Sequence, residues 1–530
     1  MSIKVIQAQT LPKLKDVVKP GNRNGYPVEV PRWYTRLFEI LPGVILWLTI
    51  LLPVIGALLK RPDIVVWYVS FLVAFWGYRA VRFLQGLLVG YKRYKRDLAT
   101  DFIGQLKNKH KDELNALKFV LILPMVNEGE DTLFPSLDAW AKQDIGADKI
   151  SIVFALEEPY LDKSLPIVKK GHEKFKDAFR EMMVVVHPHG VEGESVGVKG
   201  ANINWATRNF VKIVENRDER LEDYLLITND VDLRPHKKYL SAITLKYFET
   251  PPQKRLQKFY CTAVHTFNNN IWRVPAIVRI FSVSLTLAIF HTWVVLREFR
   301  DTWSAYIVNL KTVKDVGFWD PEIGVDDTYF YWNAKVHFNG DFSGEEVYIP
   351  TYNDAVENST RMKTYKSLYK QQVRWGWGII VFPITFAGLY KKFREIGHLS
   401  KAFMIGKLFY NHILFATVVF TITFALPILQ FLSPEYRYSS ASYNLVQFMR
   451  VVMTALMFFN IPIYIIRTRL TPKPKDWPWW RNVADWGEII LITVNMLTFG
   501  FIPKIQAQTE MMLNKRRRKF YATDKVAIGG

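Results

Sequence analysis

The apolar residues of this chain are concentrated in long segments near its two ends, with a more polar region between them. Residues 38–59 and 64–88 form the first pair, separated only by KRPD, and residues 409–432, 445–466 and 484–503 follow near the C-terminal end. A helix of roughly 20 apolar residues crosses the hydrocarbon core of a bilayer. The pattern therefore predicts an early helical hairpin across the membrane and three later membrane helices.

Two other apolar runs are weaker candidates for crossing a membrane. Residues 277–299 and 376–390 are interrupted or flanked by Arg, His or Lys. A helix that carries charges beside an apolar face can lie in the membrane interface instead of crossing the bilayer. We therefore expect these two runs to lie along the membrane surface.

Between these segments, residues 117–350 have the pattern of an α/β domain. Short apolar runs that end in polar residues alternate with charged stretches typical of helices. The runs occupy residues 118–125, 149–156, 182–189 and 224–230. This alternation predicts a mostly parallel sheet, and such sheets bind ligands at the carboxyl ends of their strands. The polar residues after each run are therefore the candidates for a functional site.

The composition agrees with a soluble domain fused to membrane helices, because 49% of the 530 residues are hydrophobic and 22% are charged. The net charge of +21 suggests an anionic partner, such as nucleic acid, anionic lipid or a phosphorylated substrate. Much of this charge flanks apolar segments, as in KRRRK at residues 515–519, which favours membrane lipids and argues against nucleic acid. The single cysteine, Cys261, excludes an intramolecular disulfide.

The cations also predict on which side of the membrane each region lies. Seven Lys or Arg residues occur in positions 1–37, and four more follow the second apolar segment, so both ends of the hairpin are expected in the cytoplasm. The loop at 467–483 and the C-terminal tail are basic as well. One crossing between them cannot place both inside, so we expect residues 484–503 to enter and leave on the same side, bent near Gly500 and Pro503.

Two pairs of carboxylates are candidates for chemistry. Asp230 and Asp232 end the apolar run at 224–230, where two oxygen ligands can bind a hard divalent cation together with a substrate phosphate. Asp326 and Asp327 lie in an aromatic-rich stretch, where a carboxylate can serve as a general base. The alternatives are a turn for the first pair and a helix N-cap for the second, since aspartate is frequent at both.

Two further motifs suggest binding of an anion. The Gly-rich stretch at 187–206 ends in a helix-like run, so its backbone N–H groups and Lys199 could hold a phosphate, with an ordinary surface loop as the alternative. In QQVRWGWG, residues 371–378, the arginine offers a planar fork for phosphate and the tryptophans a flat face for a sugar. A snorkelling arginine among interfacial tryptophans is the alternative. His187 and His189 lack a further His or Cys cluster that would support a metal site.

Together these motifs and their order resemble a membrane-integrated family 2 glycosyltransferase. PMVNE, a Gly-rich KGANIN, D-x-D, a later Asp pair and Q-x-x-R-W precede the late apolar segments, as in the processive cellulose, chitin and hyaluronan synthases. The resemblance covers about residues 117–380 by motif. It implies a GT-A fold, a nucleotide-diphosphate sugar as donor, Mg²⁺ or Mn²⁺ as cofactor, and inversion at the anomeric carbon.

The resemblance also implies roles for individual residues. Asp327 would be the catalytic base, and Asp232 would hold the metal ion on the diphosphate. The implied donor-binding residues are Asn127, Glu128, Lys199, Asp230 and Arg374, and the implied acceptor-binding residues are Gln371 and Trp375. In FYATDK, the residues that resemble the gating loop of cellulose synthase are Phe520, Thr523 and Lys525.

The chain departs from the family pattern at three places. Val325 and Asp326 replace the Thr and Glu of T-E-D, and Ala522 replaces a Val of the gating loop. Glu157 and Glu158 stand where the family often has an acidic pair with Asp, which leaves the choice of nucleotide open.

The expected protein is a multi-pass membrane enzyme with a cytoplasmic catalytic domain. Its expected parts are a cytoplasmic segment at 1–37, a transmembrane hairpin at 38–90, a cytosolic transferase domain with interfacial helices at 91–375, interfacial and transmembrane helices at 376–504, and a basic cytoplasmic tail at 505–530. The expected activity is sugar transfer to a glycan acceptor in polysaccharide synthesis, with a single addition to a lipid-linked acceptor as the alternative. A transporter is disfavoured because the candidate aspartates lie outside the apolar segments.

Overall fold

The computed structural model describes residues 3–6, 30–195 and 197–515. The strands are β1 Lys4–Ile6, β2 Lys118–Met125, β3 Ile150–Glu157, β4 Glu181–His187, β5 Tyr224–Thr228, β6 Arg234–Pro235, β7 Lys258–Thr262, β8 His265–Thr266, β9 Tyr306–Asn309, β10 Ser343–Val347 and β11 Thr351–Tyr352. Eight of them form one sheet in the order β1-β4-β3-β2-β5-β9-β7-β10. In this sheet all neighbours are parallel except β9, which is antiparallel to β5 and β7. The predicted mostly parallel α/β domain is confirmed.

The helices divide into a group around the sheet and a group of long apolar segments. The helices up to the end of the α/β domain are α1 Arg32–Leu58, α2 Pro62–Ala99, α3 Phe102–Lys109, α4 Lys111–Ala116, α5 Glu130–Ala141, α6 Leu161–Phe175, α7 Lys199–Asn216, α8 Tyr239–Glu249, α9 Ala276–Val295, α10 Leu310–Val316 and α11 Asp326–His337. Those that follow are α12 Arg361–Gly376, α13 Val381–Lys391, α14 His398–Phe409, α15 Phe415–Leu432, α16 Pro434–Arg437, α17 Ser440–Met457, α18 Asn460–Leu470, α19 Trp479–Gly487, α20 Leu491–Asn495 and α21 Ile502–Met512.

The central strand β2 explains why the apolar runs in the sequence are nearly continuous. Its side chains point alternately to the two faces of the sheet, and both faces are buried. Val120 and Ile122 belong to one hydrophobic core, and Phe119, Leu121 and Leu123 belong to the core on the other face. A strand that is covered on both sides needs apolar residues at every position, so the polar residues are confined to its ends.

The remaining three strands form a small sheet beside the end of β5. Strand β11 pairs antiparallel with β6 and parallel with β8. Because β6 begins two residues after Asp232, this small sheet fixes the chain that leaves the D-x-D motif. The peptide N–H of Asp354, just after β11, donates to a carboxylate oxygen of Asp232 over 2.8 Å.

Among the described residues, seven helical stretches are long and apolar enough to cross a membrane. Five of them overlap the predicted membrane segments, and the other two, Ala276–Val295 and Arg361–Lys391, overlap the two runs expected along the surface. The apolar windows of these two are 56% and 67% buried within the protein, against 6–44% for the other five. They therefore pack mainly against other parts of the protein.

Helix α2 connects the apolar segments directly to the α/β domain. At its C-terminal end, Asp97 accepts a hydrogen bond from the N–H of Tyr348 over 3.2 Å, and Arg93 donates to the hydroxyl of the same tyrosine over 2.9 Å. Gly86 and Gly90 let α9 approach α2, because a Cβ atom at either position would come within 2.8 Å of α9 side chains. The close contact of α9 with α2 thus depends on two small residues one helical turn apart.

Candidate active site

The first residue of α7 and the end of β5 meet at the carboxyl edge of the sheet. The Nζ atom of Lys199 lies 2.9 Å from a carboxylate oxygen of Asp230. The backbone N–H of Leu233 also donates to the Asp230 carbonyl over 3.1 Å, so the D-x-D segment does form a turn, as the alternative reading held. The turn leaves the Asp230 side chain partly exposed, with its carboxylate beside the Lys199 ammonium group.

A glycine brings the N-terminal ends of α7 and α11 together. A Cβ atom at Gly200 would lie 3.0 Å from the Cβ atom of Asp326, which is the first residue of α11. The N-cap residue of α11 is Val325, and no side chain forms a capping hydrogen bond there. The alternative interpretation, in which Asp326 or Asp327 caps this helix, is therefore wrong. The acidic pair instead occupies the first turn and faces the α7 end.

The backbone around Asp327 is held from two sides. The hydroxyl of Thr302 donates to the Asp327 carbonyl over 2.6 Å, and the N–H of Thr328 donates to one of its carboxylate oxygens over 2.7 Å. The second carboxylate oxygen thus keeps its acceptor capacity for a further proton donor. A carboxylate fixed in this way can accept a proton at a defined position.

Burial dominates the electrostatics of the acidic pair. It raises the pKa of Asp327 to about 7, with a further contribution from the neighbouring negative charge of Asp326. Burial also raises the pKa of Asp326, against the opposing effects of Lys199 and Arg374. The positive charge of Arg374, the arginine of Q-x-x-R-W on α12, thus opposes the rise of the pKa at Asp326.

The three carboxylates in turn hold Lys199 in its charged form. Burial lowers the pKa of its ammonium group, but Asp230, Asp326 and Asp327 outweigh burial and raise it. The site therefore combines three carboxylates with two cations, Lys199 and Arg374. Such an arrangement can bind a polyanion at the cations while a neighbouring carboxylate accepts a proton.

Asp230 and Asp232 are the candidate ligands of a divalent cation that would be shared with a substrate. Asp232 is buried, and the amide of Asn269 donates to its carbonyl over 3.0 Å. Within the described ranges, no group of three or more His, Cys, Asp or Glu side chains could hold a metal ion by itself. Mg²⁺ is commonly bound by one or two carboxylates together with substrate phosphates, and two aspartates at a strand end meet that requirement.

The remaining sequence-predicted residues lie around this cluster. Glu128 accepts hydrogen bonds from the N–H groups of Val126 and Asn127, over 2.7 and 3.1 Å, and so stabilises the turn after β2. Asn127 is exposed at the same edge of the sheet as Asp230, because β2 and β5 are parallel neighbours. This places the PMVNE turn beside the D-x-D turn.

The Q-x-x-R-W helix presents its residues in different environments. Gln371 is half-buried, and Trp375 is 39% exposed with its ring 6.2 Å from that of Phe281 on α9. Trp377 is buried and donates to a carboxylate oxygen of Glu510 over 3.2 Å. The proposed gating residues lie outside the described residues; these are Phe520, Thr523 and Lys525.

No motif in the sequence connects His187 with Glu157 and Glu194. The two nitrogens of its ring form ion pairs with these carboxylates, at 3.0 and 2.8 Å. Burial opposes the charged imidazole, but both glutamates outweigh it and raise the pKa of His187 to about 9. The histidine thus fastens the Gly-rich loop to the end of β3, and both of its nitrogens are engaged, so the metal-ligand reading is not supported.

Comparisons with known proteins give a distant likeness to glycosyltransferase structures. No family model matches the chain, and no curated protein matches it either. A structure of the mannosyltransferase PcManGT from Pyrobaculum calidifontis with GDP-Man and Mn²⁺ is 13% identical, with a TM-score of 0.38, over 75% of this chain and 98% of that one. S. aureus TarS 1-349 with UDP is 14% identical, with a TM-score of 0.30, over 65% and 90% of the two chains.

A third structure, GalNAc-T7 with UDP, GalNAc and Mn²⁺, is 10% identical, with a TM-score of 0.31, over 56% of this chain and 58% of that one. At these TM-scores the likeness carries no functional inference. The function is therefore inferred from the site itself.

Proposed function

We propose that the protein is a membrane-bound glycosyltransferase of the family 2 type. It transfers a sugar from a nucleotide-diphosphate sugar to an acceptor hydroxyl with inversion, in the synthesis of a polysaccharide. The observation that carries the proposal is the convergence of Lys199, Asp230, the Asp326–Asp327 pair and Arg374 at the carboxyl edge of a parallel sheet. These groups come from four separate segments, and together they suit both a diphosphate leaving group and a hydroxyl nucleophile.

Asp327 is the proposed general base. Its raised pKa lies close to neutral pH, where a base combines a useful ionised fraction with a strong tendency to take a proton. The acceptor oxygen attacks the anomeric carbon as its proton passes to the free carboxylate oxygen of Asp327, and the bond from that carbon to the diphosphate breaks. Attack from the side opposite the leaving group inverts the anomeric centre.

The donor diphosphate is proposed to lie between Lys199, Arg374 and the N-terminal end of α7. The first N–H groups of a helix and two cations all favour the negative charge that grows on the departing diphosphate. Asp230 and Asp232 would hold Mg²⁺ or Mn²⁺, which when bound supplies further positive charge at the diphosphate. Asn127 and Glu128 border the nucleotide from the neighbouring turn.

The acceptor is proposed to approach along α12, where Gln371 and Trp375 can contact a sugar. A single addition to a lipid-linked acceptor uses the same residues and is the second candidate. Labelled donor distinguishes the two, because a processive enzyme gives a distribution of long products and a single-addition enzyme gives one product.

The membrane arrangement is proposed to leave the catalytic domain and the end of α21 on the cytoplasmic side. Two contacts support this arrangement. Arg36, near the start of α1, donates to the carbonyl of Met511 over 3.1 Å, and Tyr34 donates to the carbonyl of Phe386 in α13 over 3.2 Å. Since α13 packs on α11 of the catalytic domain, where Gly388 meets Val336, the end of α21 belongs to the domain side.

The basic loop before α19 is proposed to lie on the same side. Trp272 donates to the Pro472 carbonyl over 2.7 Å, and Trp272 lies three residues after Asn269, which contacts Asp232. With both ends of the stretch Trp479–Met512 next to the catalytic domain, residues 484–503 are proposed to enter and leave on one side.

A donor screen tests the proposed function. Purified protein in detergent is incubated with individual nucleotide sugars, with Mn²⁺ or Mg²⁺, and the released nucleoside diphosphate is measured. At least one donor is expected to support release by the natural protein and not by Asp327→Asn. Absence of release with every donor and both metals would contradict the proposal.

A further inference from the structure

One face of α12 carries a row of four cations, of which only the last, Arg374, belongs to the candidate active site. Lys363, Lys366, Lys370 and Arg374 follow one another at intervals of three, four and four residues, so they share one side of the helix. The three lysines are exposed, and Arg374 is half-buried. The row is about 16 Å long at 1.5 Å per helical residue.

The charge of this row is not balanced by its own helix. The sixteen residues of α12 include no Asp or Glu. Throughout the part of the chain that the structure describes, Lys363 and Lys366 form no ion pair with a carboxylate, and the hydrogen bond of Lys363 goes to the Ser359 hydroxyl over 3.2 Å. Like charges three and four residues apart repel and weaken a helix. An anion bound along this face would relieve the repulsion.

The row leads from the protein surface to the catalytic carboxylates. Arg374, its last member, acts on the pKa of Asp326. The other side of α12 rests on the last helix, where the Tyr369 hydroxyl donates to Gln506 over 2.8 Å and a Cβ atom at Gly376 would lie 3.0 Å from that of Ala507. A ligand on the cationic face is thus both beside the membrane helices and directed toward Asp327.

We infer that this face binds the phosphate of a lipid-linked acceptor, an inference that rests on the second candidate under the proposed function. A neutral glycan carries no negative charge to pair with the exposed lysines. The donor diphosphate is already matched by Lys199 and Arg374, and the far end of the row lies too distant to reach the same two phosphates. A phosphate on a lipid chain would instead satisfy the lysines while the membrane holds its apolar tail.

Binding of farnesyl phosphate, a short lipid phosphate, tests this inference on the full chain in neutral detergent. A fluorescent analogue of farnesyl phosphate is bound first, and its displacement by farnesyl phosphate, farnesol or inorganic phosphate is measured. The double variant Lys363→Gln with Lys366→Gln is expected to raise the Kd of farnesyl phosphate at least tenfold. Farnesol and inorganic phosphate are expected to compete at least tenfold more weakly than farnesyl phosphate with the natural protein.

Arg361→Gln is the matched control, because Arg361 is an exposed cation of the same helix about half a turn away from the row. It is expected to change the Kd less than twofold. The double variant Lys363→Arg with Lys366→Arg keeps the charge and is expected to preserve binding. Comparison with the glutamine variant therefore distinguishes loss of charge from misfolding. An unchanged Kd in the glutamine variant, equal binding of farnesol, or an equal effect of Arg361→Gln would overturn the inference.

Vesicles distinguish a lipid-linked ligand from the bilayer surface. If the glutamine variant binds less well to vesicles of phosphatidylcholine with phosphatidylglycerol but keeps its Kd for farnesyl phosphate, the row is a bilayer contact and the inference fails. None of these measurements uses a sugar donor. Absence of nucleoside diphosphate release would therefore contradict the proposed function without deciding whether farnesyl phosphate binds. Absence of farnesyl phosphate binding would likewise contradict this inference without deciding the proposed function.

Discussion

Replacing Asp327 by asparagine is expected to abolish transfer while making the protein more stable. The amide cannot accept the acceptor proton, so turnover should fall by roughly 10²–10⁴-fold, the usual contribution of a general base. This corresponds to about 3–5 kcal/mol of transition-state stabilisation. Donor binding should persist, because the diphosphate is proposed to contact Lys199 and Arg374 and not Asp327.

The gain in stability follows from the pKa of Asp327. Its rise from 3.8 to about 7 means that the folded protein holds this proton more tightly than the unfolded chain does. Stability then falls as the pH increases from about 4 to about 7, and the full penalty remains at higher pH. At about 1.4 kcal/mol per pKa unit, the penalty is at most about 4 kcal/mol, and asparagine removes it.

The assay pairs nucleoside diphosphate release with thermal unfolding of the same detergent-purified samples at pH 8 and pH 5. At pH 8 the variant should unfold at a higher temperature than the natural protein, with a smaller difference at pH 5. The natural enzyme should also lose activity tenfold per pH unit well below pH 7, as the base becomes protonated. Retention of more than a tenth of the turnover, or a lower unfolding temperature at pH 8, would refute the assignment of Asp327.

Three further outcomes are expected. Asp232→Ala should weaken donor binding at least tenfold by calorimetry, and EDTA should stop turnover of the natural enzyme; full activity in excess EDTA would contradict the D-x-D assignment. Lys199→Met removes a cation that favours the ionised form of Asp327, so the acid limb of the pH–activity profile should move up by about one unit; an unmoved limb would remove Lys199 from the site. A cysteine placed at Val526, in a Cys261→Ser background, should resist an impermeant thiol reagent in intact cells, whereas labelling would place the tail outside.

The strands that could be predicted from the sequence are those buried on both faces. The run predicted at 118–125 is β2, Lys118–Met125, with the same bounds, because burial on both sides demands a continuous apolar run. Strands β7, β9 and β10 were not predicted. They are four or five residues long, and β10 reads SGEEV, with two acidic residues that form ion pairs with Lys258 and Arg300. Their positions depend on partners far away in the chain.

In the candidate site, too, local motifs could be predicted from the sequence, whereas contacts between residues far apart in the chain could not. Lys199 and Asp230 each follow from a local motif, but their 2.9 Å contact depends on how α7 docks against β5. Asn269 and Asp354 contact Asp232 and were missed, because Asn and Asp in loops are indistinguishable from ordinary turn residues. Residues that support a site through backbone contacts leave no mark in the sequence pattern.

The tryptophans of QQVRWGWG show why neither sequence interpretation of that motif was complete. Trp375, exposed and beside Phe281, suits the membrane interface or a sugar, as both interpretations allowed. Trp377 is buried and bonded to Glu510, so it joins α12 to the last helix. A snorkelling arginine would extend toward water, but Arg374 is half-buried and acts on Asp326. Because Trp377 directly follows α12 and Arg374 lies in its last turn, a shift of the last helix would also move Arg374 relative to Asp326.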